Sequence, residues 1–263
     1  MNNAVLIESR PGYRVITLNR PDKLNAFSPA LHAGMVAALD IIEADADCRA
    51  ILLTGAGRAF CSGQELGEEV LPEPDGTPRD IGPILDRWHP VILRLRALPM
   101  PVVCAVNGVA AGAGASLALA CDLVLAAKTA RFIQSFVKIG LVPDCGGSFF
   151  LPRLIGDARA RAAFMLGEPV GAEQAAAWGM IHRVVEPGEL MTEAEKLVAH
   201  LSTQPTGALA RIKRQLSATA TNDLASQLDL ERELQREAGR GADFLEGVAA
   251  FQVKRPPVFT GRG

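Results

Sequence analysis

Three short apolar runs, at residues 49–54, 102–106 and 123–127, constrain this chain more than anything else in its sequence. Ile51-Leu52-Leu53 and Val102-Val103-Cys104-Ala105-Val106 are apolar at every position, so they lack the alternation of a half-exposed strand. A strand of that kind is buried on both faces and needs a layer above and a layer below it. The first run opens into a glycine-punctuated loop at 55–64, and a helix follows at 84–98. The second turns at Asn107-Gly108 into a small-residue helix at 110–120. This repeat of strand, glycine loop and helix predicts an α/β core with covered sheets. A chain of 263 residues that is 49% hydrophobic has enough apolar material to build it.

Around that core the remaining segments read in order. Residues 4–7 and 13–18 form a hairpin across Arg10-Pro11-Gly12, and Ser28-Pro29 opens a helix carrying Leu31, Met35, Leu39 and Ile42 on one face. Residues 68–83, with four prolines and many charges, read as an exposed loop and a candidate lid. After Asp144 the chain turns helical at 156–167 and 172–178, returns to a strand at 180–185, and is helical from Gly188 onward. Helices are expected at 208–220, 224–238 and 243–254, a terminal appendage that packs on its own core or on a partner subunit. No uncharged run of 18 apolar residues occurs, so no membrane span is expected. A net charge of −2 argues against a nucleic-acid surface. Five cysteines without a Cys-x-x-Cys pair, and no signal-peptide pattern, fit reduced thiols in a cytoplasmic protein.

Asp144 stands nearly alone among apolar residues, between Phe136, Leu141 and Val142 on one side and Phe149, Phe150 and Leu151 on the other. Burial there disfavours the charged form and raises the pKa toward that of a useful proton acceptor. The competing reading is an Asp that caps the helix starting near Gly146. Two glycine loops, Ser62-Gly63-Gln64 and Gly112-Ala113-Gly114, each follow a buried strand. Taken singly, each is a strand-to-helix turn; opposed, their free N–H groups make an oxyanion hole. With a buried carboxylate nearby, such a site removes a proton from carbon next to a carbonyl. Other chemistries fit less well. Gly112-Ala113-Gly114-Ala115-Ser116-Leu117 has Leu where a dinucleotide fingerprint needs its third glycine. Ser116 lies too far past its strand to be an elbow nucleophile. His32, His89, His182 and His200 show no metal spacing, although His89, beside Trp88, is a candidate pocket residue.

The chain resembles the enoyl-CoA hydratase/isomerase (crotonase) superfamily along nearly its whole length. The resemblance is carried by Asn19-Arg20-Pro21 with Leu24-Asn25-Ala26, by Ala59-Phe60-Cys61-Ser62-Gly63, by Ala105-Val106-Asn107-Gly108 with Ala111-Gly112-Ala113-Gly114, and by Cys121-Asp122. The tail Lys254-Arg255-Pro256-Pro257-Val258-Phe259-Thr260-Gly261 continues it. The resemblance implies a crotonase-like spiral of ββα units over 1–195 and a C-terminal helical region over 196–263 that builds a homotrimer or a dimer of trimers. It implies an acyl-CoA substrate, with coenzyme A as part of that substrate and no separate cofactor or metal. The thioester oxygen would lie between the backbone N–H groups of Gln64 and Ala113. Ala26, Ser62, Gly63, Leu66 and Gly112 would line the substrate, with the adenine near Ser62, Gln64 and Leu66. Lys23 and Lys254 would approach the phosphates, Lys254 from its own or a neighbouring subunit.

Where typical hydratases of this superfamily hold water with two glutamates, this chain has Ser116 and Phe136. Asp144 instead occupies the place where several family isomerases carry their acid. The runs Leu141-Val142-Pro143-Asp144-Cys145-Gly146-Gly147 and Cys104-Ala105-Val106-Asn107-Gly108-Val109 resemble the ring-1,2-epoxyphenylacetyl-CoA isomerases, which turn a ring epoxide into an oxepin and shift enoyl-CoA double bonds. The leading expectation is therefore a one-base isomerase. The alternatives are an enoyl-CoA hydratase, a hydrolase or dehalogenase with Asp144 as nucleophile, and a non-catalytic acyl-CoA-binding subunit.

Overall fold

The computed structural model describes residues 4–261. The chain opens with an antiparallel hairpin, β1 (Val5–Arg10) and β2 (Tyr13–Leu18). Ser28 then caps α1 (Pro29–Ala44), its hydroxyl accepting the Leu31 N–H at 3.2 Å. Leu31, Met35, Leu39 and Ile42 of α1 are fully buried, as their spacing predicts. The three apolar runs become β3 (Ala50–Gly55), β5 (Val102–Val106) and β7 (Leu123–Ala127), parallel neighbours in a six-stranded sheet of order β1-β2-β3-β5-β7-β10, where β10 is Arg183–Val185.

A second sheet, which the sequence reading lacked, runs beside the first. Its strands are β4 (Ala59–Cys61), β6 (Val109–Ala111), β8 (Arg131–Ile133) and β9 (Pro169–Gly171). The expected loop at 55–64 therefore contains a strand. The helix expected at 110–120 begins only at Ala113, as α3 (Ala113–Leu119), because Val109–Ala111 pairs with β4 and β8 instead. Strands three residues long carry too little pattern to be read from sequence; their pairing with the neighbouring repeat defines them. Each long strand turns into its short one, and at the turns after β3 and β5 a glycine permits this. A Cβ on Gly55 would run into the Phe60 carbonyl, and one on Gly108 into the Arg58 carbonyl.

The repeated unit is thus strand, short strand, helix. β3 and β4 lead to α2 (Gly82–Ala97), β5 and β6 to α3, and β7 and β8 to α4 (Gly147–Ile155). This is the crotonase-like spiral of ββα units that the resemblance implies. α5 (Asp157–Leu166), α6 (Ala172–Ala177) and β10 (Arg183–Val185) complete it. The last strand is shorter than the expected 180–185. α7 (Leu190–Ser202) then packs across β3, β5 and β7, passing position 195 as one continuous helix.

α8 (Thr206–Ala218), α9 (Leu224–Ala238) and α10 (Ala242–Gln252) are different in character. Leu216, Leu224, Phe251 and Val253 are each more than half exposed in the single chain. The tail is nonetheless pinned. Asp243 accepts the Thr260 N–H at 2.7 Å and the Gly261 N–H at 2.9 Å, and Arg49 donates to the Phe259 and Gln204 carbonyls at 3.1 and 2.7 Å. Among the described residues no helix is long and apolar enough to cross a membrane. All five cysteines are buried and free.

Candidate active site

The spiral leaves a cavity of about 440 Å³ between the turns after β4 and β6, the helix α2, and the segment leading to α4. Ser62, Gly63, Gln64, Leu66, Gly112, Ala113 and Asp144 all line it, so most of the sequence-predicted residues meet at one place. Three do not. Ala26 is buried behind the wall, its carbonyl accepting from Arg20 at 2.8 Å. Lys23 lies outside, half exposed, with its ammonium 3.9 Å from Glu65. Lys254 is exposed just beyond the end of α10 and lines no part of the cavity.

One wall presents backbone. Phe27 pairs with Gln64 in an isolated parallel bridge: the Phe27 N–H donates to the Gly63 carbonyl at 2.7 Å and the Glu65 N–H to the Phe27 carbonyl at 3.0 Å. Such a bridge uses the groups on either side of Gln64, so the Gln64 N–H faces the opposite edge. Ala113 is the first residue of α3, and its N–H has no acceptor within the helix. Among the described residues neither N–H donates to another backbone group. The two turns touch at Gly63, which has φ +90°. A Cβ there would lie 2.8 Å from the Ala111 carbonyl oxygen and 3.5 Å from the Ala113 nitrogen, so only glycine lets them close together.

The other wall presents one carboxylate. Cys145 (φ +48°) and Gly146 (φ +82°) are consecutive left-handed residues that swing the chain into α4. The cap of α4 is Gly146, and no side chain bonds there; Asp144 contributes only its carbonyl, to the Gly147 N–H at 2.8 Å. The capping reading of Asp144 is therefore wrong. Its Oδ1 is buried without a hydrogen-bond partner among the described residues. Burial pushes the carboxyl up to about 6, against smaller opposing effects from the Cys145 thiol and the charge of His89. His89 is itself exposed and does not line the cavity, so the pocket role considered for it falls away. Val142, one of the apolar sequence neighbours expected to bury Asp144, is 79% exposed in the single chain; Phe136, at 6%, does line the cavity.

At the positions of the missing glutamates the structure offers no acid. The Ser116 hydroxyl is fully buried and turned to the Gly112 carbonyl at 3.4 Å, and Phe136 puts a ring into the wall. Among the described residues Asp144 is the only carboxylate lining the cavity. Sequence reasoning missed other wall residues. Trp88 stacks on Phe27 with ring centroids 3.6 Å apart, and Ser135 and Lys138 face the same space. Ser135 and Lys138 share one short helical turn with Phe136, a spacing that could have led from Phe136 to both. Among the described residues no group of three or more His, Cys, Asp and Glu side chains is placed to hold a metal ion.

The enoyl-CoA hydratase/isomerase family matches residues 8–262. The chain belongs to that family. Over 263 residues, the whole of both chains, it is 49% identical to the 1,2-epoxyphenylacetyl-CoA isomerase of Escherichia coli (strain K12). It is 44% identical, over 99% of each chain, to a Rhodobacter capsulatus protein named a probable enoyl-CoA hydratase. The crystal structure of an enoyl-CoA hydratase from Bacillus anthracis superposes with a TM-score of 0.91 at 30% identity, covering 98% of this chain and 99% of that one. Membership in the family brings the acyl-CoA substrate class and a choice between isomerase and hydratase chemistry.

Proposed function

We propose that this protein is an acyl-CoA isomerase working by a one-base proton shuttle, and that its substrate is the ring-1,2-epoxide of phenylacetyl-CoA, converted to the oxepin, with enoyl-CoA double-bond shifts as a second activity. The observation that carries this reading is a lone carboxylate, raised to about 6 and unpartnered at one oxygen, in a cavity whose other wall offers two free backbone N–H groups. The thioester carbonyl acidifies C2–H. As Asp144 takes that proton, charge builds on the thioester oxygen, which accepts hydrogen bonds from the Gln64 and Ala113 N–H groups; losing one such donor typically costs about 10²–10³-fold in rate. The electrons pass into the ring as the epoxide opens to the seven-membered oxepin, and Asp144 returns a proton to a ring carbon. One proton leaves and one arrives, so the reaction balances without oxidant or reductant. Hydration needs a second group to hold and activate water, and neither Ser116 nor Phe136 offers an acid or base for that.

The test is a panel of CoA esters containing a 3-enoyl-CoA, a 2-enoyl-CoA and the phenylacetyl-CoA epoxide. Isomerisation of the first and third is expected to exceed water addition to the second by at least about a hundredfold, the gap left by a missing general base. Hydration as fast as isomerisation would overturn the reading.

The same proposal places the protein in the cytoplasm and gives residues 196–263 the task of assembly, as a trimer or dimer of trimers. The exposed Leu216, Leu224, Phe251 and Val253 of that segment support it. A monomeric mass by light scattering at micromolar concentration would contradict it. Lys23 and Lys254 remain candidates for the CoA phosphates, Lys254 from its own or a neighbouring subunit.

A further inference from the structure

We propose that Arg20 and Glu65 are positioning residues: their ion pair fixes the direction of the Gln64 N–H. The proposal rests on the reading of that N–H as a donor to the thioester oxygen. Neither side chain lines the cavity, so any effect on the reaction passes through the backbone between them.

The segment carrying Phe27 is not a natural strand. Leu24 and Asn25 both have left-handed backbones, with φ +49° and +55°, which costs a non-glycine residue free energy and needs support. Asn25 supplies part of it. Fully buried, it accepts the Arg20 N–H at 2.8 Å and donates to the Ala56 and Ala59 carbonyls, each at 2.9 Å. This fixes the segment from below, against the turn between β3 and β4. The guanidinium of Arg20 works from the side. Its Nη1 donates to the Ala26 carbonyl at 2.8 Å and its Nη2 to the Glu65 carboxylate at 2.7 Å. Ala26 precedes Phe27, and Glu65 follows Gln64. One rigid fork therefore holds the two strands of the bridge in register, one residue to either side of the paired residues. The ion pair is more than half covered, with side chains 19% and 32% exposed. Such a pair adds little to global stability, but a shift of the loop by a fraction of an ångström would turn the Gln64 N–H away from the developing charge.

A merely structural pair and a positioning pair differ in one measurable respect. Only the second should discriminate between ligands with and without the thioester oxygen. The experiment uses the full-length protein, phenylacetyl-CoA and its thioether counterpart, which lacks the carbonyl oxygen, with binding measured by calorimetry. The variants are Glu65→Gln, Arg20→Gln and Arg20→Lys. Wild type is expected to prefer the thioester by about tenfold, the worth of one to two hydrogen bonds. In Glu65→Gln and Arg20→Gln that preference should fall to about threefold or less, thioether affinity should stay within twofold, and kcat should drop about tenfold with a smaller change in KM. Arg20→Lys, which keeps the charge but loses the fork, should lie between. Glu65→Gln preserves shape and carries the test if Arg20→Gln does not fold. Variants that keep both the thioester preference and kcat overturn the proposal, as do variants that lose affinity for both ligands alike. A wild-type protein indifferent to the thioester oxygen would instead remove the oxyanion reading, and this inference with it.

Discussion

The two walls of the cavity are built on opposite principles. On one side, the Gln64 and Ala113 turns present main chain, held by the Phe27 bridge, the second sheet and the contact at Gly63. On the other, a left-handed turn at Cys145 and Gly146 presents a single side-chain carboxylate with one oxygen unpaired. A main-chain wall tolerates almost any side chain and fails only when the backbone moves. A side-chain wall fails when one functional group is changed. The comparison teaches where each wall is vulnerable.

The largest effect is expected on the side-chain wall. Asp144→Asn keeps the shape and removes the base, so turnover should fall by roughly 10²–10⁴-fold, the usual worth of general base catalysis. Turnover within threefold of wild type would sink the assignment. The same substitution has a signed effect on stability. In the folded state the carboxyl is raised to about 6, so between its unfolded value and that pH the folded protein holds more protons than the unfolded one. Stability therefore falls as pH rises through this window. Asp144→Asn removes the penalty, and its melting temperature at pH 8 should exceed wild type by a few degrees, with the gap closing near pH 4. In wild type, kcat/KM should fall as pH drops below about 6, since the base must be ionised to act.

A smaller but still large effect is expected on the main-chain wall. Gly63→Ala would set a methyl against the Ala111 carbonyl at a left-handed position and push the two turns apart. Activity should fall by about 10–10²-fold, short of the loss at Asp144, because donors are displaced rather than deleted. Steady-state kinetics with a thermal melt would check it. Wild-type activity in Gly63→Ala would mean that the two turns do not act together.

The contrast also explains what the sequence made legible. β3, β5 and β7 could be read because a strand covered on both faces has no polar position to obscure it. The Gln64 and Ala113 turns could be read because their glycines follow those strands. The second sheet could not, since β4, β6, β8 and β9 are three residues each and exist through pairing with neighbours. Asp144 was visible as a lone acid in an apolar run, but its two readings could be separated only by the φ angles of Cys145 and Gly146, which no side chain announces. Val142 was misjudged because apolar neighbours in sequence need not be neighbours in space. Trp88 reaches the cavity from α2, and Ser135 and Lys138 reach it from one short helical turn; nothing in the sequence joins the two segments.

The central claim is that one carboxylate both removes and returns the proton. It is tested most directly by a single turnover on phenylacetyl-CoA epoxide deuterated at C2, with the label located in the earliest product by mass spectrometry and NMR. A one-base shuttle in a cavity that limits exchange predicts a measurable share of deuterium on the ring carbon. Complete loss of the label to solvent in that first product would contradict it.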